Sequence, residues 1–97
     1  IERAAKAGSA EGQCMCGMMY MSGQGNPVDR KRGAFWMEKS AQQEHPEGQY
    51  RYGMLFALGQ GVEPSSEQAL YWLRRAADNG SVRAKRALDA LQTADNQ

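Results

Sequence analysis

Small and apolar residues recur along this chain at helical spacing. Over residues 9–23, Gly12, Cys16, Met19, Tyr20 and Gly23 follow one another at steps of four, three, one and three, which is one face of a 3.6-residue period. Over the following segment Gly33, Trp36, Met37, Ser40 and Ala41 make a similar stripe, and Ala69, Trp72, Leu73, Ala76 and Ala77 repeat it further on. Alternation of period two is absent, so the pattern predicts helices and no strands.

The residues between the stripes supply the ends. Ser9, Asp29, Ser65 and Ser81 can each accept a backbone N–H hydrogen bond at a helix start, and Ser65 with Gln68 has the spacing of a capping box. His45 stands before Pro46 and is expected to cap a helix whose first turn tolerates proline, because that position has no intrahelical use for an N–H. Gly23 and Gly59 lack a Cβ and can close the preceding helices in the left-handed conformation.

The same elements occur twice. Displaced by 36 residues, the chain aligns with itself without a gap. Glu11, Gly12, Gln13, Gly17 and Met18 fall on Glu47, Gly48, Gln49, Gly53 and Met54; Gly23, Gln24, Gly25, Trp36 and Ala41 fall on Gly59, Gln60, Gly61, Trp72 and Ala77. Substitutions between the units keep their character, as in Tyr20 with Phe56, Phe35 with Tyr71, and Lys39 with Arg75. One helix pair cannot bury both sides of its apolar stripe, so neighbouring pairs must stack. The expected fold is all-α: a solenoid of antiparallel helix-turn-helix repeats, about two and a half in number.

Within that single repeat domain, residues 9–44 and 45–80 form the two units. Residues 1–8 match the close of the second unit at Arg3, Ala4, Ala5 and Gly8, and read as the end of a preceding repeat. Residues 81–97 place Ala84, Leu88 and Leu91 where Gly48, Tyr52 and Leu55 stand, then pass into the polar QTADNQ, and read as a C-terminal capping helix and tail. The expectation is therefore a piece of a longer array.

The stretches GMMYMSGQGNPVDRKRGAFWMEKSA and GMLFALGQGVEPSSEQALYWLRRAADNG resemble the Sel-1-like repeat, a relative of the tetratricopeptide repeat. The shared pattern is a Gly-x-Gly turn, an aromatic residue in the second helix and an Ala-Ala-like close. Gly12, Gly33 and Gly48 replace alanines of the family pattern, Cys16 and Tyr52 replace leucine, and Asn26 replaces valine. Each interior glycine lowers helix stability by roughly 1 kcal/mol relative to alanine, so the first unit is expected to be the softer one. The cysteine-rich branch of the family has a disulfide in every repeat, whereas Cys14 and Cys16 do not recur at 36.

Charge and chemistry narrow the function. Twelve Lys and Arg balance eleven Asp and Glu, giving +1, which does not select nucleic acid or an anionic membrane, and no apolar run reaches the roughly 20 residues of a membrane span. The Gly-Gln-Gly loops lack the flanking residues of a phosphate loop. Arg30, Lys31 and Arg32 have Ser-Glu-Gln as their counterpart and so lie outside the repeated design; they read as a solvated helix start, with an acidic partner as the sharper alternative. Arg74, Arg75, Arg83, Lys85 and Arg86 read as a solubilising terminal cluster, because no stacking aromatics are interleaved with them. One histidine, with no CxxC pair or HxxxH, makes neither a catalytic constellation nor a metal site. No cofactor is expected, and the compartment is left open between bacterial cytoplasm and envelope.

What remains is a surface. In the tetratricopeptide fold the first helix of each unit lines the concave face, and this resemblance implies a groove formed by Glu11, Cys14, Met18, Met21 and Ser22, then Glu47, Tyr50, Met54, Ala57 and Leu58, then Arg83, Arg86 and Ala90. Methionine adapts its shape and tyrosine adds area with a polar tip, which suits a peptide. The expected function is a non-catalytic scaffold for a protein or peptide partner. The alternative is end-to-end self-association through Leu88 and Leu91, and the bland reading of Met18 and Met54 is core packing.

Overall fold

A computed structural model describes residues 8–25 and 27–95, with side chains as far as Gln92. Residues 1–7, assigned above to the end of a preceding repeat, and Asn26 lie outside the described residues. The chain runs through α1 (Ala10–Ser22), α2 (Arg30–Gln42), α3 (Pro46–Leu58), α4 (Ser66–Asp78) and α5 (Val82–Asp95), with no strand among the described residues. Each helix packs on the next, and α1 also reaches α3. The resulting layer measures 44 × 24 × 17 Å, elongated as stacked helix pairs require.

The ends follow the residue chemistry. Ser9, Asp29, Ser65 and Ser81 accept hydrogen bonds from the N–H groups of Gly12, Arg32, Gln68 and Ala84, each at 3.1 Å. Gly23 and Gly59 close α1 and α3 in the left-handed conformation, at φ 79° and 68°. Two expectations fail. His45 makes no side-chain cap bond, and α3 starts on Pro46 with only the His45 carbonyl accepting from Gln49 N–H. The Ser65–Gln68 box is half formed, because the Ser65 N–H donates instead to the Phe56 carbonyl at 3.0 Å. Its counterpart Asp29 N–H donates to Tyr20 carbonyl at 2.9 Å, so this tie between paired helices recurs at the repeat period.

Helix approach is set by absent side chains. A Cβ on Gly53 would lie 3.0 Å from Leu73 Cγ, and one on Gly48 would run into the Ser40 side chain. Gly33 and Gly48 thus occupy close contacts that a Cβ would crowd. The second glycine of the later loop has a separate role. Gly61 (φ 78°) rests against the backbone carbonyl of Arg30, joining the turn of one unit to the second-helix start of the other.

Polar ties also recur at 36. Gln43 donates to Gln13 Oε1 at 2.7 Å, and Asn79, its counterpart, donates to Gln49 Oε1 at 2.9 Å. Gln49 is fully buried and donates in turn to the Ala41 carbonyl at 3.2 Å. Such satisfied buried amides hold register without the cost of an orphaned donor. The turns between pairs place Gly8, Glu44 and Gly80 at positive φ (93°, 59° and 99°). Glu44 is the one non-glycine among the described residues to do so, and its carboxylate pairs with Arg75 and accepts from Asn79.

The core is shared between units. Trp36, Met37, Ser40, Ala41, Ala69, Trp72, Leu73 and Ala76 are buried, as the second-helix stripes predict. In α1 the buried set is Gln13, Cys14, Cys16, Gly17 and Tyr20, and not the single stripe read from spacing. The reason is that α1 is covered on two sides. Cys14 packs with Met37, Tyr52 and Leu55, whereas Cys16 packs with Tyr20 and Trp36.

Candidate functional site

The last turns of α1 and the length of α3 present their side chains to a shared depression of about 770 Å³. Helical spacing explains its lining: Met15, Met18 and Met19 lie three or four residues apart and project together, and Tyr50, Met54 and Leu58 do the same along α3. Met37 of α2 forms part of the floor and is itself buried. All six methionines of the sequence border this one depression. Gln24 and Gln60, the central residues of the two Gly-Gln-Gly loops, reach its edge.

Arg51 is the charged side chain on that lining. Its Nε is buried without a hydrogen-bond acceptor, and lies 3.6 Å from Glu47 Oε2. Arg83 Nη1 approaches the same oxygen at 3.5 Å, with its guanidinium 5.7 Å from the centre of the Tyr50 ring, within cation–π range.

Of the residues that sequence reasoning assigned to the groove, Met18, Met21, Tyr50, Met54, Leu58 and Ser22 come together on this lining. Arg83 stands beside it through Tyr50 and Glu47, and Arg86 is exposed one turn further along α5. Glu11 is exposed in the first turn of α1 and is not on the lining. Cys14 is corrected: it is 3% exposed and belongs to the core, because α1 meets both α2 and α3 and that side of it is covered. Burial raises its thiol from an ordinary 9.0 to about 11, the Arg51 charge opposing and Glu47 and Glu11 adding to the rise. It is therefore a neutral packing group and a poor nucleophile.

Sequence reasoning missed Met15, Met19, Gln24, Met37, Arg51, Leu55 and Gln60 on the lining. A count would have pointed to the first two, since four of the six methionines fall within residues 15–21. Arg51 gave no such signal, its counterpart being Met15.

The basic runs divide. Arg32 donates to Tyr20 Oη at 3.4 Å and lies over that ring, and Arg75 pairs with Glu44 while covering Tyr71 and Trp72. Arg30 and Lys31 are exposed. Among the described residues no three His, Cys, Asp or Glu side chains gather as metal ligands would, and no helix is long and apolar enough to cross a membrane. Cys14 and Cys16 are both buried.

The comparisons agree with the geometry. The Sel1 repeat model matches residues 10–45 and 46–81. Among solved structures, a Sel1 repeat protein from Oxalobacter formigenes is 36% identical with a TM-score of 0.89, over 93% of this chain and 26% of that one. The protective antigen c5321 of uropathogenic Escherichia coli, which displays an SLR fold, is 29% identical with a TM-score of 0.85, over 89% of this chain and 18% of that one. Cysteine rich protein B of Helicobacter pylori has a TM-score of 0.85 over 90% of this chain and 65% of that one; at 24% identity it speaks to the fold alone. The chain thus spans less than two thirds of each of these proteins. No curated protein sequence matches it. Sel1 repeats generally mediate protein–protein interaction and are generally non-catalytic scaffolds. With two consecutive repeats matched, helix pairs stacked at the same period and the Gly-x-Gly turns in place, the chain belongs to the Sel1 repeat family.

Proposed function

We propose that this chain is a non-catalytic protein-interaction module that seats a segment of its partner in the methionine-lined depression along α1 and α3. The observation that carries this reading is the collection of all six methionines around one opening. A core needs apolar bulk but does not need it half exposed, and Met15 is 54% and Leu58 61% exposed. Flexible thioethers on a recessed surface conform to a partner's side chains at small cost in shape. Residues 9–44 and 45–80 act as the two binding units in this reading, with α5 covering the second. Titrating partner peptides into protein labelled on its methionine methyls tests it: shifts should fall on Met18 and Met54 and on the Tyr50 ring. Shifts confined to Phe35 and Tyr71, which are half exposed on the second helices, would sink the assignment.

A second reading is end-to-end self-association. Leu91 and Leu70 border a small cleft of about 90 Å³ between α4 and α5, and Val82 is 63% exposed. Light scattering across concentration separates the two readings, since a monomer at high concentration rules out stacking.

A further inference from the structure

The charges beside the depression are unbalanced. Glu47 Oε2 is divided between Arg51 at 3.6 Å and Arg83 at 3.5 Å, both beyond hydrogen-bond range. One carboxylate therefore answers two guanidinium groups, and the Arg51 Nε has no acceptor although it is buried. Arg86 follows Arg83 by one turn on the same side of α5 and is exposed, with Asp89 a further turn along. Glu11, the acidic residue of α1, stands in its first turn, whereas the last turns of that helix line the opening. The α3–α5 side of the opening is thus a donor-rich margin next to an apolar bed.

We infer that the depression takes an acidic, apolar protein segment: bulky aliphatic or aromatic side chains seated among the methionines, with Asp or Glu set against Arg51 and Arg83. This rests on the reading of the depression as a protein-binding site. The two halves of the surface divide the work of recognition. Methionines select apolar bulk without selecting one side chain, so they alone give little discrimination. An incoming carboxylate gives the guanidinium of Arg51, whose side chain is 31% exposed, a second acceptor beside Glu47, in a pair strengthened by charge. A basic segment would bring like charge to a margin already in excess. Because the arginines lie on α3 and α5 and the methionine-rich turns on α1, the pair also fixes the direction in which the segment lies. The recessed shape, about 770 Å³, favours inserted side chains over a lipid surface, which would meet a rim before it met the methionines.

The test uses the 97-residue chain labelled on its methionine methyls and three short peptides with identical Leu and Phe content, flanked by Glu, by Gln or by Lys. The Glu peptide is expected to shift the methyls and to bind about tenfold more tightly than the Gln peptide, with the gap narrowing as salt is raised. Arg83→Gln should remove up to about fivefold of that preference for Glu over Gln; with that side chain 64% exposed, the variant keeps its fold. Arg51→Gln should remove more. Equal or tighter binding of the Gln or Lys peptide at the same methyls overturns the acidic preference and leaves the peptide site standing. Methyl shifts with phosphatidylglycerol vesicles but with none of the peptides overturn the inference in favour of a membrane surface. No methyl shift with any probe overturns both this inference and the peptide site.

Discussion

Gly17 and Gly33 face each other across the α1–α2 contact so closely that a Cβ on Gly17 would lie 2.9 Å from the Gly33 carbonyl oxygen, and one on Gly33 3.0 Å from that of Gly17. Neither obstacle is a side chain that could swing aside. Gly17→Ala should therefore destabilise the fold by about 1–3 kcal/mol, even though alanine favours helix by roughly 1 kcal/mol. Gly53→Ala should cost less, because the nearest atom it meets is the Leu73 Cγ of a side chain that can shift. Urea unfolding followed by circular dichroism ranks the two, and a stabilised Gly17→Ala would refute the contact.

Gln49→Leu removes the acceptor for Asn79 and the donor to the Ala41 carbonyl. With the site fully buried, the loss should be about 1–3 kcal/mol, seen as a lower denaturant midpoint.

Glu44→Gly sets two effects against each other. Relief of the left-handed backbone at φ 59° favours the variant by about 1–2 kcal/mol, and loss of the exposed contacts with Arg75 and Asn79 opposes it by about 0–1 kcal/mol. The backbone term is larger, so a neutral to slightly raised melting temperature is expected. A drop of several degrees would show that the pairing dominates.

Alkaline pH should weaken the fold. Cys14 rises from 9.0 to about 11 through burial, and Tyr52 rises from 10.0 to about 12 through burial, the Glu38 charge and its hydrogen bond to Glu38. Both groups lose their proton more easily when unfolded. Their neutral forms are undisturbed below about pH 9, and stability should fall as pH climbs from there toward 11 and 12. Cys14→Ala should flatten the first part of that decline, read from unfolding midpoints at successive pH values.

Peroxide should oxidise the methionines in order of access, Met15 at 54% exposure well before Met37 at 2%. Sulfoxides are polar, so peptide binding in the depression should fall as the outer methionines convert and return after treatment with methionine sulfoxide reductase. Peptide mapping by mass spectrometry gives the order.

Much of this architecture was legible because it is periodic. Caps at Ser9, Asp29, Ser65 and Ser81, closing glycines at 23 and 59, and the buried stripes of α2 and α4 each follow from local chemistry stated twice. Cys14 was misread because burial on a helix with two neighbours depends on angles between helices, which spacing alone does not encode. Glu44 was missed for a different reason: its conformation belongs to the turn, and only comparison with Gly8 and Gly80 at the same offset exposes it. The side chains around the depression were half foreseen, since those on shared faces follow helical spacing. Arg51 and its divided carboxylate needed distances between α3 and α5.

The contact of Gly61 with the Arg30 carbonyl has a consequence for how such arrays diversify. A main-chain oxygen is present whatever residue occupies that position, so the spacing from one unit to the next is insensitive to the identity of Arg30 and its exposed neighbour Lys31. Those two positions can drift through charge and size, altering what the outer surface attracts, while the pitch of the solenoid stays constant.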